Sequence, residues 1–154
     1  MLRNPAGLVY GTIIVAAVLD AESAAHETYS ETLDGIIVAI ILAYLAHAFA
    51  DFAGHRLKER ETLQARELAQ AMLGGLTVVL GAVVPILVLV LSWAAGARLR
   101  TAVNVGIYTA AGMLLVIELV SGLRAQLAGI PLLVQTLFGA AMGALVITLK
   151  LVFH

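Results

Sequence analysis

Apolar residues in this chain come in five long runs, not in alternating or narrow-striped patterns. They cover about residues 5–19, 35–54, 72–95, 101–123 and 131–153. At roughly 1.5 Å per helical residue, each of the last four can cross the roughly 30 Å of a bilayer's hydrocarbon. The first run is short, but residues 21–25 are helix-friendly, so a helix is expected to continue past Asp20. The opening MLRNPAGLVYGTIIVAAVLDAES has the short basic region and apolar stretch of a signal peptide. Acidic residues follow where a cleavage site would stand, and the segment reads as a retained first transmembrane helix. The pattern predicts one transmembrane domain over 1–154, an all-α integral membrane bundle with helices at about 5–30, 34–66, 70–95, 101–126 and 131–153. Short connections make neighbouring helices antiparallel. Trp93 closes the third run at an interface position.

Composition agrees. The chain is 62% hydrophobic and 12% charged, and its mean hydropathy is +1.02. Soluble domains carry about twice that charge. A net charge of −1 supplies no basic field for nucleic acid. With no cysteine there are no disulfides, thiolate ligands or cysteine nucleophiles. GxSxG, P-loop and HExxH motifs are absent, and no enzymatic activity or resident cofactor is expected.

Basic residues give an orientation. With a cytoplasmic N-terminus, that side holds Arg3, Arg56, Lys58, Arg60, Arg66 and Arg124, and the other holds Arg98, Arg100 and Lys150. Six against three favours the N-terminus in and the C-terminus out, in a bacterial plasma membrane. The first connection, DAESAAHETYSETLD, then faces outward with five acids and no lysine or arginine. HRLKERETLQARELAQ faces the cytoplasm, its alternating charges suited to intrahelical pairs.

Three polar groups interrupt the apolar runs. His47, Asp51 and His55 recur every fourth residue, within an arc of about 80° at 100° per residue. Imidazole nitrogen and carboxylate oxygen suit iron, manganese, zinc or nickel. A straight helix cannot bring all three onto one ion, so another helix must complete a site. The same groups could relay protons, since histidine titrates near neutrality. They could also only bond each other or a neighbouring helix. Glu118, in GMLLVIELVSG, falls at a depth similar to Asp51 and shares a face with Asn104 and Tyr108. Ionisable groups inside membrane segments are costly and usually functional. The third group is the acidic connection. Asp20, Glu27 and Glu31 share one face of a continued first helix, and Glu22 and His26 pair on another. Such a cluster would concentrate cations at a pore mouth, or it is a solvated loop.

Small residues mark places where helices can approach closely: Ala46, Ala50 and Gly54 on the second helix, Gly106 and Ala110 on the fourth, Gly139 and Gly143 on the fifth.

From the second helix onward the pattern resembles the vacuolar iron transporter family. The carriers are ADFAGHRLKERE, LGGLTVVLGAVVPILVLVL, LRAQLAG and PLLVQTLFGAAMGALV. They match a small-residue end of helix two at Gly54-His55, a Gly-Ala-x-x-Pro motif at Gly81-Ala82-Val83-Val84-Pro85, and the stretch from Leu123 to Gly129 after helix four. The resemblance covers about two thirds of the chain and implies a five-helix layout and a homodimer. It also shows differences. The family's first-helix aspartate motif corresponds to Tyr10-Gly11-Thr12-Ile13, without an acid; Asp20 is the next acid. A family methionine on helix two corresponds to Asp51, and the glutamate after the glycine to His55. The carboxylate-rich cytoplasmic domain of many members is missing, so this chain resembles a short form. Aspartate in place of methionine makes a harder ligand set.

The expected function is a small transporter of a divalent metal, iron- or manganese-like, driven by or exchanged for protons. His47, Asp51, His55 and Glu118 are the candidate metal ligands. Asp20, Glu22, His26, Glu27, Asn104 and Tyr108 are the candidate path. A proton or monovalent-cation channel and a non-transporting membrane scaffold are the alternatives. The expected partners are a lipid bilayer, metal ions or protons, and a second copy of the chain.

Overall fold

The computed structural model describes the backbone of residues 5–21, 28–59 and 65–153, and the side chains of 5–21, 28–54 and 69–152. Five helices account for most of it: α1 Pro5–Ala21, α2 Tyr29–Glu59, α3 Ala65–Ala94, α4 Leu99–Arg124 and α5 Ile130–Phe153. Among the described residues there is no strand. Four helices are long and apolar enough to cross a membrane, over Tyr29–Gly54, Ala69–Ala94, Leu99–Arg124 and Ile130–Val152. α1 has 17 residues, about 26 Å at 1.5 Å per residue, a little less than the hydrocarbon thickness.

The helix starts and stops have local causes. α1 begins on Pro5, whose missing N–H costs nothing in a first turn. The expected first helix spans 5–30; α1 is helical through Ala21, residues 22–27 lie outside the described part, and α2 starts at Tyr29 instead of about 34. The reason is a capping box at Thr28 and Glu31. Glu31 Oε2 accepts from the Thr28 backbone N–H at 2.7 Å, and Thr28 Oγ1 accepts from the Glu31 N–H at 3.4 Å. That exchange starts a new helix. The expected second helix reached 66; α2 is helical through Glu59, residues 60–64 lie outside the described part, and α3 runs from Ala65.

α3 and α4 both close in Schellman turns. At the first, Ala97 N–H donates to Ser92 O and Gly96 N–H to Trp93 O, with Gly96 at φ 72°. At the second, Leu127 N–H donates to Gly122 O and Gln126 N–H to Leu123 O. There Gln126 takes the left-handed position, at φ 59°, that glycine fills in the other turn.

α1 is the central helix. It packs on α3 above all, and also on α2 and α4; α5 lies along α4 and meets α1 only lightly. Burial drives no association between helices already in lipid, so close packing and hydrogen bonds must hold them. Glycines supply the closeness. A methyl group on Gly7 would strike Thr77, one on Gly11 the Val78 carbonyl, and one on Gly81 the Leu8 carbonyl, so α1 and α3 touch backbone to backbone. On the other side, methyls on Gly139 and Gly143 would stand 2.9 Å from the Leu114 carbonyl oxygen and 2.7 Å from that of Ala111. The expected close approach at Gly139 and Gly143 is therefore the α4–α5 contact. Gly106 lets Leu19 of α1 against α4. The Ala46, Ala50 and Gly54 stripe instead faces away from the chain's own helices: all three are exposed, and a side chain on Gly54 would meet nothing within 4 Å.

The apolar core lies toward the α3–α4 turn. Val15 and Leu19 of α1, Ile36 and Ile40 of α2, Ala82 and Leu89 of α3, and Ala102, Val103 and Ile107 of α4 form one buried cluster, with Val146 of α5 against its edge. Large apolar side chains such as Leu42, Phe49, Leu91, Leu133, Phe138 and Leu151 face outward. A surface that apolar suits lipid and marks an integral membrane protein.

Candidate functional site

The end of the bundle opposite that core carries His47, Asp51 and Glu118. His47 and Asp51 lie one turn apart on α2, which packs against α1 and α3. Their spacing places both side chains on one face. His47 Nε2 stands 3.7 Å from Asp51 Oδ2, with the imidazole side chain 18% and the carboxylate 43% exposed. That distance suits an ion pair with a protonated ring but is too long for a hydrogen bond. Nε2 is buried and makes no hydrogen bond.

Two neighbouring helices shape the surroundings. Tyr10 of α1 stacks its ring on the imidazole, with centroids 6.1 Å apart and planes at 29°. Across α2, a methyl on Gly74 of α3 would come 3.8 Å from Asp51 Oδ2, so the carboxylate lies over a notch in α3. Gly75 likewise makes room for the Tyr44 ring. His47 and Asp51 thus stand where three helices meet, an imidazole and a carboxylate on one face of α2 with Tyr10 of α1 and Gly74 of α3 against them.

Glu118 is placed differently. It lies on α4 and faces α5, its Cβ and Cγ over Gly139, and its Oε2 accepts a 2.9 Å hydrogen bond from Gln135 Nε2. The structure brings His47 and Asp51 together but puts Glu118 on another helix pair. His55 belongs to α2, and its side chain lies outside the described part. Among the described residues, no three histidine, cysteine, aspartate or glutamate side chains gather as a metal site would require.

The expected path residues scatter similarly. Asp20 is half-buried at the far end of α1, within electrostatic reach of Lys150 on α5, which also feels Arg100 on α4. Asn104 is half-buried and Tyr108 is exposed, so the polar stripe expected on α4 does not face one interior space. Glu22, His26 and Glu27 lie outside the described residues. Glu31 belongs to the capping box, not to a continued first helix.

Gln135 and Tyr10 were not singled out by sequence as site neighbours. Gln135 is a polar residue inside an apolar helix, the same signal that marked Glu118. Tyr10 entered only as part of the Tyr10-Gly11-Thr12-Ile13 stretch, because its contact with His47 depends on how α1 is rotated against α2.

Compared with protein-family models, with curated proteins and with solved structures, the chain finds no match.

Proposed function

We propose that the chain is a small membrane transporter that carries a divalent metal cation, iron- or manganese-like, in exchange for protons. His47 and Asp51 are its binding pair. One observation carries this reading: an imidazole and a carboxylate share one face of a membrane-crossing helix, with the Nε2 atom buried and free of hydrogen bonds. Such a pair holds a proton or a metal, and a metal displaces the proton because it needs the deprotonated ligands. Ionisable groups at this depth are costly to keep without a use. The resemblance of helices two to five to the vacuolar iron transporter family supports the five-helix architecture more than it supports iron itself. Two donors do not fill a coordination shell, and one straight helix cannot add a third, so a group from another helix or water supplies the rest.

A second reading is a proton or monovalent-cation channel. It is favoured by the absence of a third ligand beside His47 and Asp51 among the described residues, since a relay needs only the pair. Purified chain in liposomes, tested against a panel of cations with an internal pH dye, separates the two. Metal uptake with opposite proton movement is expected. Proton movement alone selects the channel, and no movement of any ion refutes both.

In this reading all five helices cross the bilayer, α1 with a short span. The N-terminus is cytoplasmic and the C-terminus outside, by the six-to-three basic asymmetry. The chain lacks cysteine, so a single cysteine at Ser30 tests it: labelling by an impermeant reagent from outside is expected, and labelling only from the cytoplasm reverses the topology. The outward Ala46, Ala50 and Gly54 stripe is where a second copy would pack to form a homodimer.

A further inference from the structure

Pro85 lies inside α3 and is buried. Proline has no N–H, so the carbonyl four residues earlier, that of Gly81, loses its helical partner. In lipid such a carbonyl must find another donor. It finds one on a different helix: Thr12 Oγ1 of α1 stands 3.0 Å from Gly81 O. Thr12 is fully buried, and its hydroxyl also lies 2.9 Å from Leu8 O on its own helix. One hydroxyl proton serves both oxygens. The Leu8 carbonyl is an ordinary helical one with a backbone donor available at Thr12 itself, whereas the Gly81 carbonyl has lost its own. Gly81 contributes a second way, since any side chain there would strike the Leu8 backbone and push α1 off α3.

We infer that Pro85, Gly81 and Thr12 form a clasp that fixes the register of α1 on α3, and that through Tyr10 it orients the imidazole of His47. Tyr10 stands two residues before Thr12 and lies against the His47 ring. A slip of α1 along α3 leaves the Gly81 carbonyl without a donor and moves Tyr10 along the ring. Thr12 and Tyr10 are positioning residues; neither needs to touch an ion. The clasp stands whether or not the bundle transports anything.

The test is a double-mutant cycle read by two signals: the unfolding midpoint in mixed micelles, and the ring NMR resonances of His47. Thr12→Val keeps the shape and removes the hydroxyl; it is expected to lower the midpoint and shift the His47 resonances. Thr12→Ser keeps the hydroxyl; it should lower the midpoint less than Thr12→Val, by the buried methyl alone, and leave the His47 resonances in place. Pro85→Ala restores an N–H for Gly81, and in that background Thr12→Val should lose at least half its effect on the midpoint. An equal loss in both backgrounds overturns the clasp. Unmoved His47 resonances in Thr12→Val overturn its link to the imidazole. If Pro85→Ala does not fold, the carbonyl 13C resonance of Gly81 decides: it must move in Thr12→Val and stay in Thr12→Ser, and an unmoved signal refutes the hydrogen bond.

Discussion

Asp51 and Glu118 are two carboxylates in apolar helices near the same end of one bundle, and the fold gives them different surroundings. Glu118 is answered across a helix interface: α5 presents Gln135 to its oxygen at 2.9 Å, and Gly139 lets the glutamate stem lie flat. Asp51 is 43% exposed, with an imidazole one turn back at 3.7 Å and a glycine notch opposite. A carboxylate held by a fixed neutral donor glues two helices together. In the proposed reading, the partly exposed carboxylate beside an imidazole is where exchange takes place. Burial alone does not separate the two settings; the identity of the neighbour does.

The largest effect should come from Asp51→Asn. It keeps size and removes the charge and the proton site. Ion flux in liposomes is expected to fall at least tenfold, with helix content and the unfolding midpoint close to the parent's. That outcome is consistent with the 3.7 Å separation, since a partly exposed ion pair adds only about 0–1 kcal/mol to stability. His47→Ala should impair flux as well. Full flux of every cation in Asp51→Asn would make the pair structural, and unfolding would make Asp51 a packing residue.

Gln135→Leu should show the reverse pattern. It removes the donor and leaves the Glu118 oxygen against apolar side chains. Interhelical hydrogen bonds in membranes are worth about 0.6 kcal/mol on average, and an oxygen left without a partner costs a further 1–3 kcal/mol or so. A loss of about 2 kcal/mol is expected in detergent unfolding, with flux per folded molecule unchanged. Replacing both residues by leucine should recover much of that loss, because no orphaned group remains. If the double change is as damaging as the single one, the Gln135–Glu118 bond is not what holds α4 to α5.

The comparison also marks how far the sequence could be read. The four long helices were legible because an apolar run of 20 or so residues has few other uses. His47 and Asp51 were legible as a pair because the period of one helix brings them together. Glu118 was legible as an anomaly but not as a partner of Gln135, since that contact depends on the rotation of both α4 and α5. The same holds for Tyr10 on His47. Two signals were present and carried little weight. Thr28-x-x-Glu31 spells the start of α2, yet the helix-friendly residues before it suggested one continuous helix. Gly7 and Gly11 stand four apart, the spacing of a close helix contact, and they make the α1–α3 contact. The value of Pro85 could not be seen without its neighbour, because a missing N–H becomes informative only once the donor that replaces it is known.

The smallest effect should come from Glu118→Gln, the same carboxylate-to-amide change made at Asp51. The new amide oxygen can occupy the position of Oε2 and accept from Gln135 as before, since the length of the side chain is unchanged. The hydrogen bond survives the change, so the unfolding free energy should move by less than about 1 kcal/mol. Flux should stay within about twofold of the parent's, because nothing in the α4–α5 contact requires a titratable group. The two amide variants are therefore best measured side by side, in one liposome preparation and one detergent series. Loss of flux at Asp51 with retention at Glu118 assigns exchange to α2 and helix pairing to α4. Loss at both, with folding intact, would place Glu118 on the path after all, and the hydrogen bond from Gln135 would then be a step in ion passage, not a fixed tie.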